Sequence, residues 1–207
     1  MDNLAFSNVL YRKTRTVLSS VGVALGVVLV VMTVGLVHGF LKDQGDRNGA
    51  VTAEIMFNSP GSTFGLDLSP SLSMPVSLAD DLKRIPGVAD AVPVGHYVKG
   101  RLIDGIDYDE FTQVSGIKIV EGRALQSGDE AIVDTKEQYR HKLKIGDSIE
   151  VFDRSFKLVG VYQPESLGRV KIPIETMQRI LNLPGLCSMI FVKVSDPSKT
   201  DEVVERI

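Results

Sequence analysis

Between Val17 and Val37 this chain of 207 residues runs for 21 positions without a charge, VLSSVGVALGVVLVVMTVGLV. At ~1.5 Å per helical residue such a run covers ~31 Å, close to the ~30 Å hydrocarbon thickness of a bilayer. Thirteen of its residues are Val or Leu. At roughly −0.3 to −0.6 kcal/mol each, insertion gains on the order of 4 to 8 kcal/mol before Ser and Gly subtract from it. A cleavable signal peptide has a shorter apolar core, ~7 to 15 residues, ended by a small-x-small site. This run is longer and leaves through Leu36-Val37-His38-Gly39-Phe40. The reading is an uncleaved transmembrane helix with a short stalk over residues 14–44.

The flanks set the orientation. Arg12, Lys13 and Arg15 precede the run with only Asp2 against them, whereas Lys42, Asp43, Asp46 and Arg47 on the far side cancel. The positive-inside bias makes the three basic residues topology determinants and places the N-terminus in the cytoplasm, with the main domain periplasmic or extracellular. Over residues 1–13, Leu4, Ala5, Phe6, Val9, Leu10 and Tyr11 oppose Asp2, Asn3, Ser7 and Asn8, the pattern of an interfacial amphipathic helix. Gly22 and Gly26, and Gly35 and Gly39, are two small-xxx-small pairs that let helix backbones approach closely. At 100° per residue the pairs lie about 220° apart, so the helix is expected to pack between other membrane helices.

Residues 48–207 carry a net charge of −5 and the whole chain −3, which excludes nucleic-acid binding by electrostatics. The single Cys187 excludes an intrachain disulfide. Strands are expected over Val51–Asn58, Val88–Val98 (with Pro93 marking an edge or a bulge) and Arg101–Ile106. Further strands are expected over Glu130–Val133 and Cys187–Val194, with a hairpin of Asp147–Phe152 and Ser155–Tyr162 around Asp153-Arg154. Ser77-x-x-Asp80 and Asp134-x-x-Glu137 resemble capping boxes, the second for a helix reaching about Leu143. Helices are also expected after Pro173 and from Asp196-Pro197 to the last residue, Ile207. The Ser/Pro/Gly-rich segment 59–75 holds Phe64, Leu66, Leu68 and Leu72. Uncovered apolar groups there would suit a partner contact, while folding back on the domain is the open alternative.

No Gly-x-x-x-x-Gly-Lys-Ser/Thr phosphate cradle occurs. His38, His96 and His141 are too dispersed for a zinc site, and no nucleophile motif appears, so no catalytic, metal or cofactor residue is assigned.

Asn8-Val9-Leu10-Tyr11-Arg12-Lys13-Thr14-Arg15-Thr16, a Gly-Val-Ala-Leu-Gly-Val helix and Ile85-Pro86-Gly87-Val88 occur in the order found in one family. Downstream come Glu121-Gly122-Arg123, Gly128-Asp129-Glu130, Lys144-Ile145-Gly146-Asp147-Ser148, Phe156-Lys157-Leu158-Val159-Gly160-Val161 and Ile172-Pro173. The set resembles the MacB-like periplasmic core domain of FtsX-like ABC transporter permeases. The resemblance implies an α+β extracytoplasmic core at 48–207. A βαβ porter-like lobe, about 51–112 plus 188–207, would carry an inserted strand-rich lobe at about 113–187. It also implies a transport permease of the cell membrane, driven by mechanotransmission from a separate ABC ATPase chain that binds the ATP. A second permease copy or a homologous permease would complete a dimer, with an extracytoplasmic adaptor or substrate protein as a further partner. Such permeases usually have three more membrane helices after the outer domain, so the chain is expected to be a fragment. The alternative is a single-span, membrane-anchored interaction or sensor module.

Overall fold

The computed structural model describes residues 13–58, 72–98 and 100–207. The interfacial helix, including Arg12, falls outside the described residues except for Lys13, as do Phe64, Leu66 and Leu68. The chain divides into two units, residues 1–45 and 46–207.

The uncharged run lies in helix α1, Lys13–Gly49, of 37 residues, which among the described residues is the one helix long and apolar enough to cross a membrane. Its Val and Leu side chains are exposed, and Gly22, Gly26, Gly35 and Gly39 have open space where a Cβ would stand. The helix continues beyond the expected stalk end at residue 44, passing Gly45 and stopping at Gly49. A glycine inside a helix costs only ~1 kcal/mol and does not by itself end it.

Residues 46–207 are built on a nine-stranded mixed sheet. Its strands are β1 (Ile55–Asn58), β3 (Val88–Val98), β4 (Leu102–Ile106), β5 (Lys118–Gly122), β6 (Glu130–Asp134), β7 (Ser148–Val151), β8 (Arg154–Gln163), β9 (Val170–Pro173) and β11 (Met189–Val194). The order is β1-β11-β3-β4-β9-β6-β8-β5, with β7 also on β8, while β2 (Met74–Pro75) and β10 (Leu186–Cys187) form a separate ribbon. The first four strands on this path come from the segments expected to make the first lobe, and the rest from the expected insertion. The parallel pairing of β4 with β9 fuses the two halves into one sheet.

Period-two alternation gives the sheet two apolar faces. Ile103, Ala131, Val133, Val161, Val170 and Ile172 pack on one side with Met177 of α5 (Ile174–Leu181). Val92, Val94, Ile106, Ile132, Tyr162 and Phe191 pack on the other with Phe111 of α3 (Tyr108–Val114). Helices α2 (Leu78–Lys83), α4 (Thr135–His141) and α6 (Thr200–Val204) complete the unit.

Several expectations are corrected. Ser77 precedes α2 with helical backbone angles and no side-chain cap, so its capping box does not form; Asp134 does accept the Glu137 amide at 2.6 Å. Pro93 does not break β3, but it does stand at a local edge as expected, because β4 pairs only with Gly95–Val98 and Pro93 has a ladder partner on the β11 side alone. The hairpin turns at Phe152-Asp153, both with positive φ, one position before the expected Asp153-Arg154. The final helix ends at Val204 instead of running to Ile207.

Gly160 sits where β8 passes closest to its neighbours. A Cβ there would lie 2.2 Å from the Arg123 carbonyl oxygen and 3.1 Å from Ile132 Cγ2, contacts that backbone cannot relieve cheaply. Gly160→Ala is therefore expected to lower stability by about 2 to 3 kcal/mol in chemical denaturation. Gly116→Ala, with no atom within 4 Å, should change it by less than about 0.5 kcal/mol.

Candidate functional site

Ionisable residues stand on the inner face of three strands, and register brings them into one row. His96 of β3 lies opposite Asp104 of β4, and Asp104 opposite Lys171 of β9. Because paired positions point to the same face, all three project toward Phe111 and Tyr162. His96 Nδ1 is 2.7 Å from Asp104 Oδ1, and Lys171 Nζ donates to Asp104 Oδ2 at 2.8 Å. Asp104 and Lys171 have no exposed side-chain surface. The ammonium lies 5.0 Å from the centroids of both aromatic rings.

The row holds the loop between β8 and β9. Lys171 Nζ donates to the carbonyls of Ser166 (3.0 Å) and Gly168 (3.1 Å), and the Tyr162 hydroxyl donates to Gly168 O (2.9 Å). The Gly168 amide donates to Asp104 Oδ2 at 2.8 Å, an approach only glycine permits, since a Cβ there would stand 2.7 Å from Asp104 Oδ1. Arg169 donates to Asp134 Oδ2 at 2.8 Å, and Glu165 meets both Arg169 (3.5 Å) and Lys136 (2.5 Å). Each residue from Glu165 to Arg169 is thus tied by at least one polar contact or by its neighbour below.

Into this loop goes the last turn of α1. Arg47, 5% exposed, donates from Nη1 to Leu167 O at 2.6 Å. The Leu167 amide returns a 3.4 Å bond to the Arg47 carbonyl, one of the terminal carbonyls a helix cannot satisfy internally. The arrangement is a socket for a helix end. It has no nucleophile paired with a base, and no group of three metal-ligating side chains occurs among the described residues.

Burial alone would raise the Asp104 carboxyl, but the Lys171 charge and the His96 hydrogen bond outweigh it and hold it at about 2. The same burial, with Asp134 and Asp104 nearby, pushes the Tyr162 phenol well above its ordinary value and keeps it a donor. Burial likewise raises the Cys187 thiol to about 11, so it stays unreactive.

Sequence reasoning placed its candidate residues elsewhere. Leu72, offered as a partner contact, is 2% exposed and packs in the core. The Ser73 amide bonds to Cys187 O and the β2–β10 ribbon draws the segment onto the domain. His96, one of the three dispersed histidines, belongs to this row, with Nδ1 against Asp104. Arg47, Asp104, Tyr162 and Lys171 were missed, although a lone Asp in Leu-Ile-Asp-Gly-Ile and a lone Lys in Val-Lys-Ile are the signal that would have found two of them.

Removing one member of a buried pair strands the other charge. Lys171→Met is expected to cost about 3 to 5 kcal/mol, and Lys171→Met combined with Asp104→Asn less than the sum of the single changes, measured by denaturant unfolding. A carboxyl with a folded pKa below its unfolded value adds stability above the latter and loses it on acidification. Here the loss falls as pH drops from 3.8 to about 2. Stability of Asp104→Asn should accordingly vary less steeply than that of the parent chain across that window.

The model of the MacB-like periplasmic core domain matches residues 16–207. An uncharacterized ABC transporter permease of Methanocaldococcus jannaschii, MJ1507, is 24% identical over 98% of this chain. The chain spans 56% of that relative's length. The periplasmic region of MacB from Actinobacillus actinomycetemcomitans superposes with a TM-score of 0.56 at 19% identity, covering 73% of this chain and 78% of the other. The extracellular domain of the noncanonic ABC-type transporter YknZ from Gram-positive bacteria gives 0.54 at 16%, covering 72% and 86%. These likenesses establish the same fold. With the family model matched over nearly the whole chain, the protein belongs to the MacB-like periplasmic core domain family of ABC transporter permeases.

Proposed function

We propose that the chain is the N-terminal part of the membrane subunit of an ABC-type export or extraction system, in which a separate ATPase chain hydrolyses ATP and the outer domain moves in response. The remaining membrane helices would follow this segment, and a second permease copy or a homologous permease would pack on the Gly22/Gly26 and Gly35/Gly39 faces of α1. An adaptor or substrate protein would be engaged outside. The N-terminus, with Lys13 and Arg15 ahead of the span, would lie in the cytoplasm.

The observation that carries this reading is the pair of hydrogen bonds between Arg47 and Leu167. A tilt or shift of α1 reaches its last turn through continuous helix, without a flexible linker to absorb it. From there Leu167 would pass the displacement through Gly168 to Asp104 and Lys171, and so into strands β4 and β9. Charges held in fixed geometry transmit displacement because packed interiors switch between discrete arrangements instead of deforming continuously.

A flexible Gly-Ser stretch of about ten residues placed after Gln44 of the full-length permease, reconstituted with its ATPase, tests the coupling. Assembly and ATP hydrolysis should persist while transport or release collapses. Arg47→Ala should give the same uncoupling in weaker form. Full transport with the insertion in place would remove the support for a rigid join.

A further inference from the structure

The outer unit is acidic, but one short segment reverses the sign. Residues 135–145, in and just after α4, carry Lys136, Arg140, Lys142 and Lys144 against a single carboxylate, Glu137, in a domain whose net charge is −5. Glu137 is buried and turned inward, accepting from Arg101 at 3.4 Å. The outward side of α4 shows Thr135, Lys136, Tyr139 and Arg140, four residues at helical spacing that line one shallow depression. Tyr139 is 87% exposed, the most exposed large apolar or aromatic side chain among the described residues. Lys142 and Lys144 follow it, both at the surface.

The position of this face along the chain selects what it meets. Thr135 also lines a second, wider depression with Asp46, Ala50, Lys118, Gln163 and Glu165, so α4 starts beside the residues with which α1 ends. Asp46 is nine residues beyond Val37, the last position of the uncharged run, and nine helical residues cover at most ~13 Å. The headgroup layer adds ~5 to 8 Å to each side of the hydrocarbon, and attraction between a basic surface and anionic lipid extends a further Debye length, ~8 Å at physiological salt. Asp46 and Glu165 line that wider depression, Glu121 accepts from Gln138 of α4 at 2.6 Å, and Glu165 is already matched by Lys136 and Arg169. Of the basic side chains here, Arg140 lines the shallow depression without a carboxylate beside it in the lining, and Lys142 and Lys144 are exposed just beyond it. A tyrosine flanked by Lys and Arg is the combination that settles at a membrane surface, with its ring among the headgroups and the cations on the phosphates.

We infer that the Lys136–Tyr139–Arg140 face of α4 docks on the anionic headgroups of the membrane that α1 crosses. The docking gives the outer domain a second, salt-sensitive attachment besides the Arg47 socket. It rests on the reading of α1 as a span and is independent of any coupling to ATP.

The sequence has no Trp, so Tyr139→Trp provides a single fluorophore in the full chain. The variant is placed in nanodiscs of phosphatidylcholine alone or with about 30% phosphatidylglycerol, each carrying headgroup spin-labelled lipid. Docking predicts roughly twofold or stronger quenching with phosphatidylglycerol, falling to the phosphatidylcholine level in about 0.5 M salt and when Lys136→Glu and Arg140→Glu are added. A Val204→Trp control, on α6, should show no dependence on phosphatidylglycerol. Equal quenching in the two lipids, no quenching in either, or quenching of the control to the same extent overturns the inference. So does a signal that changes only when an acidic polypeptide such as polyglutamate is added, which would mark the face as a protein contact. A chain that fails to enter nanodiscs overturns the span together with the surface, whereas one that enters without quenching overturns the surface alone.

Discussion

A lysine ammonium enclosed by a protein can persist only if every one of its three N–H bonds finds an acceptor and a counter-charge lies within reach. Lys171 meets both conditions with Asp104 and the carbonyls of Ser166 and Gly168. Two of the three acceptors are therefore supplied by the buried loop between β8 and β9, and the ammonium cannot stay enclosed unless that loop adopts one conformation. Asp104 closes the same arrangement by accepting the Gly168 amide. A well-packed hydrophobic pair would hold the strands together at least as firmly. The ion pair does something a hydrophobic pair cannot, which is to fix the path of the backbone from residue 166 to 168.

The consequence lies in what that backbone then offers. Leu167 presents its carbonyl and its amide to the same residue, Arg47, at the close of α1. A loop that wandered would make a poor seat for a helix end, because each displacement of the helix would be taken up locally. A loop fixed through two strands of the central sheet passes displacement on. The parallel pairing of β4 with β9 adds to this, since it joins the strands of the two halves of the chain in one ladder. The polar ties at Arg169 and Glu165 extend the fixed region to α4 through Asp134 and Lys136.

What could be read from the sequence was whatever depends on near neighbours. The uncharged run is a local property, and so are the Asp134 cap of α4, the β7–β8 hairpin and the helix after Pro173. Residues 108–114 also carry a local signal, Asp107-x-x-Glu110, whose cap is formed at 3.0 Å. The row of His96, Asp104 and Lys171 was hidden for a different reason. His96, Asp104 and Lys171 become neighbours only through the pairing of three strands, one of them parallel and 67 residues distant from its partner. Strand β9 has four residues with a lysine among them, too short for alternation to declare itself. Leu72 fails in the opposite sense, since local composition suggests a loose loop and a distant strand, β10, recruits it to the core.

The central claim is that the loop carrying Leu167 is held as firmly as the strands beside it. Amide hydrogen exchange of the full chain, followed over residues 163–169 and compared with β8 and β9, addresses this directly, because exchange of a locally opening loop reports its own free energy and not that of the whole domain. The account predicts that Leu167 and Gly168 exchange on the slow timescale of the flanking strands, and that in a Lys171→Met chain they become fast while β8 stays protected. Fast exchange at these two amides in the unaltered chain, with β8 and β9 slow, would contradict it.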